Sequence, residues 1–213
     1  MKLVLITILT VSSSFANSTA PNSVVILALG DSLTAGYGLG RDDSFPRQLE
    51  NSLASSGYPV TVINGGVSGD TSAGGLARLE WSIAGKPQIV IVELGANDAL
   101  RGVDPAQTYD NLNQIIVRLK KAGCRIVFAG MRAPRNLGLD YTVEFDQIYP
   151  DLAERHDLDL YPFFLEGVAA DPGLNQADGI HPNAEGVRVV VNGIQPLVVK
   201  AIEAIEDTEK RLE

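Results

Sequence analysis

The fold of this chain is indicated first by residues 24–32, where an uninterrupted apolar run ends in a glycine, an aspartate and a serine. The stretch reads Val24-Val25-Ile26-Leu27-Ala28-Leu29-Gly30-Asp31-Ser32. A continuous apolar run of this kind is typical of a strand that is buried on both faces of a parallel sheet. Glycine at its end lets the backbone approach a ligand closely. We therefore expect Ser32 to lie at the edge of a sheet, with its hydroxyl available for chemistry.

The pattern of the first strand recurs along the chain and alternates with amphipathic stretches. Further apolar runs occupy residues 60–63, 89–94, 125–129 and 158–161. Helices are predicted over residues 44–55, 71–83, 105–122, 141–156 and 183–205, with Pro150 and Pro196 expected to kink or split two of them. Strands that alternate with helices predict an α/β fold, a three-layer α/β/α sandwich around a five-stranded parallel sheet. Ligands bind at the carboxyl ends of such strands, so the loops after residues 29, 63, 94 and 129 are expected to form the site.

Composition excludes several classes of function. The chain has 213 residues and a net charge of −9, with 45% hydrophobic residues. Nucleic acid would be repelled by this charge, and we expect no nucleic-acid partner. The length suits one domain, which we place at residues 21–205, followed by a charged tail at 206–213. Cys124 is the only cysteine, so no internal disulfide can form.

The first residues resemble a secretory signal peptide. Lys2 precedes an apolar run at residues 3–11, and small residues then lead to Ala16. We predict a signal peptide at residues 1–16, with cleavage after Ala20 (residues 1–20) as the alternative. The run is too short to span a bilayer. We therefore expect the mature protein to be exported, to the periplasm or beyond, without stable membrane insertion. We also expect it to be a monomer.

Two distant segments together predict a nucleophilic serine. A serine hydroxyl needs a base within hydrogen-bond reach. Of the two histidines, His156 lies in a charged helix end, where a solvated side chain is expected, whereas His181 stands three residues after Asp178 in a turn-rich segment. A carboxylate at that spacing can accept from Nδ1 and leave Nε2 facing Ser32. The sequence therefore predicts a Ser32–His181–Asp178 triad.

Four blocks of sequence together resemble the SGNH/GDSL hydrolase family. They are Gly30-Asp31-Ser32-Leu33, then Gly69, then Gly95-Ala96-Asn97-Asp98, and finally Asp178-Gly179-Ile180-His181. The blocks occur in the family's order, and the resemblance covers about the whole mature chain. It is strongest for the bacterial periplasmic branch of thioesterases, lysophospholipases and arylesterases. This family has a flavodoxin-like sheet and hydrolyses acyl esters and thioesters, including lysolipids, without a cofactor or metal.

The resemblance also implies roles for individual residues. Ser32 would be the nucleophile, His181 the general base and acid, and Asp178 the group that orients His181. The oxyanion hole would be formed by the N–H groups of Ser32 and Gly69 and the amide of Asn97, donors that bring no competing charge. Asp31 and Asp98 are interpreted as braces for the loop backbones. Substrate contacts are expected from six residues: Leu33, Thr71, Ser72, Ala73, Pro134 and Leu137. Gly74 and Gly75 predict a mobile loop beside them.

Other function classes fit these residues less well. A dinucleotide-binding fingerprint fails because Arg41 occupies the third glycine position, and an α/β-hydrolase elbow fails because Thr34 replaces its second glycine. Two distant histidines do not form a metal cluster. A carbohydrate O-deacetylase of the same fold, or a non-catalytic lipid- or carbohydrate-binding relative, remains the alternative. A deacetylase would be expected to place aromatic rings near the site, whereas Trp81 is predicted to pack against the sheet.

Overall fold

A five-stranded parallel sheet forms the centre of the molecule. The computed structural model describes residues 24–211, so the predicted signal peptide at 1–16 or 1–20 lies outside the described residues. The strands are β1 (Val24–Gly30), β2 (Val60–Gly66), β3 (Ile89–Glu93), β4 (Arg125–Ala129) and β5 (Asp159–Tyr161). They are ordered β2-β1-β3-β4-β5, which is the flavodoxin-like arrangement. The predicted sheet is therefore confirmed.

Helices cover both faces of this sheet. They are α1 (Ser32–Ala35), α2 (Phe45–Ser55), α3 (Ser72–Ala77), α4 (Leu79–Ser82), α5 (Ala96–Leu100), α6 (Pro105–Lys121), α7 (Leu139–His156) and α8 (Ala184–Lys210). Right-handed crossovers that leave β1 and β3 in opposite directions place their helices on opposite faces. Accordingly, α2 packs on α8, and α6 packs on α3 and α7. This arrangement is the predicted α/β/α sandwich.

Burial within the sheet explains the apolar runs. All five residues of β3 are buried, whereas β2 lies at an edge and is only partly covered. Glu50 of α2 accepts a hydrogen bond from the Val62 N–H at 2.8 Å. That bond satisfies one backbone donor that the edge strand would otherwise leave open to pairing with another chain.

Prolines interrupt the long helices less than the sequence indicates. Pro150 lies inside α7 and Pro196 inside α8, and each helix continues through its proline. The expected split is therefore wrong. A proline removes one backbone hydrogen bond, and the buried side chains Phe145, Tyr149 and Leu152 keep α7 packed on the core.

The helix predicted over residues 71–83 is divided instead. It forms α3 and α4, which meet at Arg78. The Arg78 guanidinium donates to Asp70 at 2.6 Å and to the Gly30 carbonyl at 2.9 Å. The Arg78 guanidinium, at the boundary between α3 and α4, therefore lies next to the end of β1. Among residues 24–211, no helix combines the length and apolar character needed to cross a membrane.

Candidate active site

The predicted site residues follow the carboxyl ends of four strands. Ser32 begins α1 directly after β1, and Gly69 follows β2. Asn97 lies in α5 after β3, and Pro134 lies in the loop after β4. Parallel strands end at the same edge of a sheet, so these residues share one face of the molecule. His181 reaches it from the loop that precedes α8.

A chain of hydrogen bonds links Ser32, His181 and Asp178. His181 Nε2 lies 2.9 Å from Ser32 Oγ, and His181 Nδ1 lies 2.7 Å from Asp178 Oδ2. Ionised Asp178 can only accept, so Nδ1 carries the ring proton and Nε2 is free to accept from the serine. The arrangement can therefore take a proton from Ser32 Oγ and return it to a leaving group.

Asp178 is held ionised by its own turn. Its Oδ1 accepts from the backbone N–H groups of His181 at 3.0 Å and Ile180 at 2.9 Å. These bonds and the His181 side-chain bond lower the pKa of the Asp178 carboxyl to about 2, with the His181 N–H as the largest cause. The carboxylate is therefore ionised at neutral pH.

Gln176 links the loop before α8 that carries His181 (the histidine loop) to the segment after β1 that carries Ser32 (the serine loop). Sequence reasoning missed this contact. Gln176 Nε2 donates to the Tyr37 carbonyl at 2.7 Å and to the Pro182 carbonyl at 2.9 Å. The Gln176 backbone N–H donates to the His181 carbonyl at 2.8 Å. The Tyr37 ring lies 4.6 Å from the His181 ring, centroid to centroid. Together these contacts fix the distance between the two loops.

The predicted oxyanion donors Gly69 and Asn97 lie after β2 and β3. Gly69 has a φ of +82°, a conformation in which glycine is unstrained. Arg101 donates to the Gly69 carbonyl at 2.7 Å, which holds this turn in place. Asn97 Nδ2 donates one hydrogen to Asp31 Oδ2 at 3.0 Å and has a second to offer. No role was assigned to Arg101 from the sequence.

A cleft of about 630 Å³ opens beside Ser32, Asn97 and His181. Its apolar lining includes Leu33, Leu100, Met131, Phe163, Leu165 and Ile180. Pro134 and Arg132 also border it, and the Arg132 guanidinium stacks 4.7 Å from the centre of the Phe163 ring. Of the six expected substrate contacts, Leu33 and Pro134 line this cleft.

Four of the expected substrate contacts do not line the cleft. Ser72 is fully buried, and its hydroxyl and N–H donate to Asp98 at 2.5 and 2.7 Å, so it braces the loop after β3. Thr71 accepts from the Gly74 N–H at 3.2 Å as the cap of α3. Ala73 is exposed on that helix, and Leu137 is half-buried in the short 3₁₀ helix Arg135–Leu137.

The glycine pair beside them is packed closely. Gly74 and Gly75 lie within α3. A Cβ on Gly74 would lie 2.3 Å from Asp70 Oδ1, and one on Gly75 would lie 2.3 Å from a Leu94 methyl. The expectation of a loop at this pair is therefore wrong, because both glycines lie within a helix, where a Cβ would force the Asp70 or Leu94 side chain to move.

The structure places His156 and Trp81 differently from the sequence-based expectations. His156 is half-buried, and its Nε2 lies 2.7 Å from Asn113 Oδ1 of α6, so it is a packing residue rather than a solvated one. Burial, followed by Lys120 and Arg155, lowers the pKa of His156. Trp81 is 82% exposed on α4 and does not pack against the sheet. The rings near the site are instead Tyr37 and Phe163.

Two buried carboxyl groups lie directly behind the serine. Asp31 and Glu93 are each 0% exposed. Glu93 Oε2 accepts from the Thr34 hydroxyl at 2.7 Å and from the Asp31 N–H at 3.3 Å. Burial, and next the charge of Asp31, raises the pKa of Glu93 well above its usual range. Burial likewise raises the pKa of Asp31, to about 6, so Glu93 is the member of the pair that keeps its proton.

Comparisons with known proteins show the family of this chain. The model of the GDSL-like Lipase/Acylhydrolase family matches residues 28–189. An arylesterase of Vibrio mimicus is 42% identical over 176 residues, which cover 82% of this chain and 88% of the relative. The thioesterase 1/protease 1/lysophospholipase L1 of Escherichia coli K12 is 41% identical over 178 residues, covering 81% and 84%. The crystal structure of AlinE4, an SGNH-hydrolase family esterase, superposes with a TM-score of 0.72 at 50% identity, covering 84% of this chain and 96% of that one.

The protonated state of Glu93 predicts a pH-dependent effect of Glu93→Gln. A carboxyl whose pKa is higher in the folded than in the unfolded chain binds a proton on folding. Its contribution to stability therefore falls as pH rises above the unfolded value. Gln mimics the neutral acid, so the free energy of unfolding of Glu93→Gln should improve relative to wild type between about pH 5 and 8. The gain should be at most about 1.4 kcal/mol per pH unit, measured by urea denaturation.

Glu93→Ala is the control for this measurement. It removes the acceptor used by Thr34 and leaves a cavity, so it should be less stable than Glu93→Gln by about 2–4 kcal/mol at every pH, since neither variant titrates at this position. A Glu93→Gln protein that gains no stability relative to wild type as pH rises would show that the pKa of Glu93 is not raised in the folded chain.

Proposed function

The chain belongs to the GDSL-like lipase/acylhydrolase family and is a carboxylic ester hydrolase, and we propose that Ser32, His181 and Asp178 are its catalytic triad. The observation that carries this proposal is the 2.9 Å contact between His181 Nε2 and Ser32 Oγ. Asp178, at 2.7 Å from Nδ1, supplies the charge that orients the imidazole. A serine with an adjacent oriented base is the arrangement that activates a weak hydroxyl nucleophile.

Acylation follows from this geometry. Ser32 Oγ attacks the acyl carbonyl carbon while its proton moves to His181 Nε2, and the carbonyl electron pair moves onto oxygen. The N–H groups of Ser32 and Gly69 and the amide of Asn97 donate to that oxyanion. Fixed donors of this kind stabilise charge that exists only in the transition state and intermediate. Collapse then expels the alcohol or thiol, which takes the proton from His181.

Deacylation repeats the sequence with water as the nucleophile. His181 Nε2 takes a proton from water as the water oxygen attacks the acyl-serine carbonyl, and then returns the proton to Ser32 Oγ. Asp178 stays ionised throughout and stabilises the imidazolium in both halves of the reaction. All of these groups come from one chain, so we propose that a monomer is sufficient for activity.

The cleft favours an acyl chain as the group that is bound. Its apolar lining side chains offer contacts to hydrocarbon, and its volume of about 630 Å³ is in the range of small-molecule sites. Relatives are named as an arylesterase and as a thioesterase and lysophospholipase. We propose that this chain hydrolyses acyl esters, thioesters and lysolipids. The same apolar lining disfavours a carbohydrate O-deacetylase, and the Ser32–His181 contact disfavours a non-catalytic binding protein.

We also propose that the protein is exported to the periplasm or beyond. The support is in the sequence, where Lys2, an apolar run at residues 3–11 and small residues up to Ala16 form the pattern of a cleavable signal.

The nucleophile is tested by Ser32→Ala. This variant should lose hydrolysis of p-nitrophenyl acyl esters and of acyl thioesters together, because both would pass through the same acyl-serine. A fluorophosphonate probe should label wild-type Ser32, identified by mass spectrometry of the labelled peptide, and should not label the variant. Turnover that survives in a purified Ser32→Ala protein would exclude the triad.

The choice of histidine is tested by a matched pair of variants. His181→Gln should lower kcat by about 10²–10⁴-fold or more, since it removes the general base. His156→Gln should leave kcat near the wild-type value, because His156 contacts Asn113 on α6 and is not part of the cleft. Steady-state kinetics on one ester decide the matter, and equal losses in both variants would contradict the assignment.

The export proposal is tested by N-terminal sequencing. Protein recovered from the periplasm of an exporting bacterial host should begin at Asn17, or at Pro21 if cleavage follows Ala20. A protein that retains Met1 and is found only in the cytoplasmic fraction would refute the signal peptide.

A further inference from the structure

The side chain of Asn97 is oriented by a single neighbour. Within residues 24–211, its one hydrogen-bond partner is Asp31, whose Oδ2 accepts from Asn97 Nδ2 at 3.0 Å. No described residue donates to Asn97 Oδ1. Rotation of the carboxamide by a half-turn would exchange its oxygen and nitrogen at almost no steric cost. Asp31 is therefore what decides which end of the amide faces the serine.

The orientation matters because the two ends have opposite effects on the reaction. With Nδ2 held by Asp31, the second hydrogen of the same nitrogen can donate to an oxyanion. A flipped amide would present a carbonyl oxygen instead, which repels a developing negative charge. An ionised aspartate has only acceptors, so it forms a hydrogen bond with the productive orientation and none with the flipped one.

The structure also explains why Asp31, and not Glu93, carries the charge of this buried pair. Each Asp31 oxygen has a donor, with Leu33 N–H on Oδ1 at 3.0 Å and Asn97 on Oδ2. Glu93 Oε1 is buried and has no partner among the described residues. A charge without donors in the interior is strongly unfavourable, so the proton resides on Glu93 and the charge on Asp31.

We propose that Asp31 is a positioning residue, which acts through Asn97 by locking the carboxamide in the orientation that donates to the oxyanion. This inference rests on the proposed function, since it requires Asn97 to be an oxyanion donor. It assigns Asp31 a role beyond that of a loop brace, and it explains why a carboxylate is kept in the interior directly behind the nucleophile.

Asp31→Asn is the variant that tests the lock. It preserves shape and keeps an oxygen to accept from the Leu33 N–H, but its amide donates where Oδ2 accepted. That change favours the flipped Asn97. We expect kcat to fall by about 10²–10³-fold, the effect of losing one oxyanion donor. KM should stay within about threefold, because the interaction is made in the transition state.

A double-mutant cycle separates this role from a structural one. Asn97→Ala should lower kcat by a similar factor, and adding Asp31→Asn to Asn97→Ala should change kcat less than about threefold. If Asp31→Asn costs as much without Asn97 as with it, Asp31 acts elsewhere, for example through its charge on His181, and the inference is overturned. If Asn97→Ala itself keeps full activity, the oxyanion part of the proposed function fails instead.

The wild-type contact can be followed directly even if Asp31→Asn does not fold. The carboxamide ¹⁵N–¹H signals of Asn97, identified by their loss in Asn97→Ala, should shift with the protonation of Asp31, whose pKa burial raises to about 6. The charged or titratable groups that face Asp31 are Glu93, His181, Tyr149 and Asp70. Asp70 is paired with Arg78.

The titration is therefore recorded in His181→Gln, so that protonation of His181 does not contribute. His181 lowers the pKa of Asp31 in the wild type, so in this variant a shift with a midpoint at or above about 6 supports the lock. Signals that do not move between about pH 4.5 and 8 would overturn it, because an amide bound to Asp31 must respond when that carboxylate takes up a proton.

Discussion

The active site depends on how closely the ends of β1 and β3 approach each other at Gly30. Gly30 pairs with Glu93 across the sheet. A Cβ on Gly30 would lie 2.1 Å from Thr34 Oγ1 and 2.4 Å from Glu93 Oε2. Only glycine allows Glu93 and Thr34 to fill this space. Their contact turns the chain sharply into α1, which brings Ser32 and Asn97 to the same edge of the sheet.

Three carboxyl groups near this edge differ because their surroundings differ. Glu93 is buried with an oxygen that lacks a donor, and it stays neutral. Asp31 is equally buried but has a donor on each oxygen. Asp178 is exposed and accepts from two backbone N–H groups and His181, which lowers its pKa to about 2. Burial and hydrogen bonding thus divide one type of chemical group into a neutral support, a fixed internal charge and a partner for histidine.

The loop after β4 borders the cleft beside the serine and is held in place by contacts with α7. Asp146 of α7 accepts from the Ala133 N–H at 2.8 Å and from Arg135 at 2.9 Å. These two contacts hold the segment after β4 against α7, while Gln176 holds the histidine loop against the serine loop. The loop after β4 and the loop that carries His181 are therefore held by separate sets of contacts.

The sequence by itself determined the sheet, the strand positions and the choice of Ser32, His181 and Asp178 as candidates for a triad. Folding brought Ser32 within hydrogen-bond distance of His181. Apolar runs and turn residues act through near neighbours in the chain, so their pattern can be read before the chain is folded. The tertiary structure alone decided that Ser72 is bonded to Asp98, that Pro150 is tolerated in α7 and that Trp81 is exposed. It also decided which of Asp31 and Glu93 is charged. These properties depend on burial and on partners up to 66 positions away, as with Asn97 and Asp31, and only folding brings such groups together.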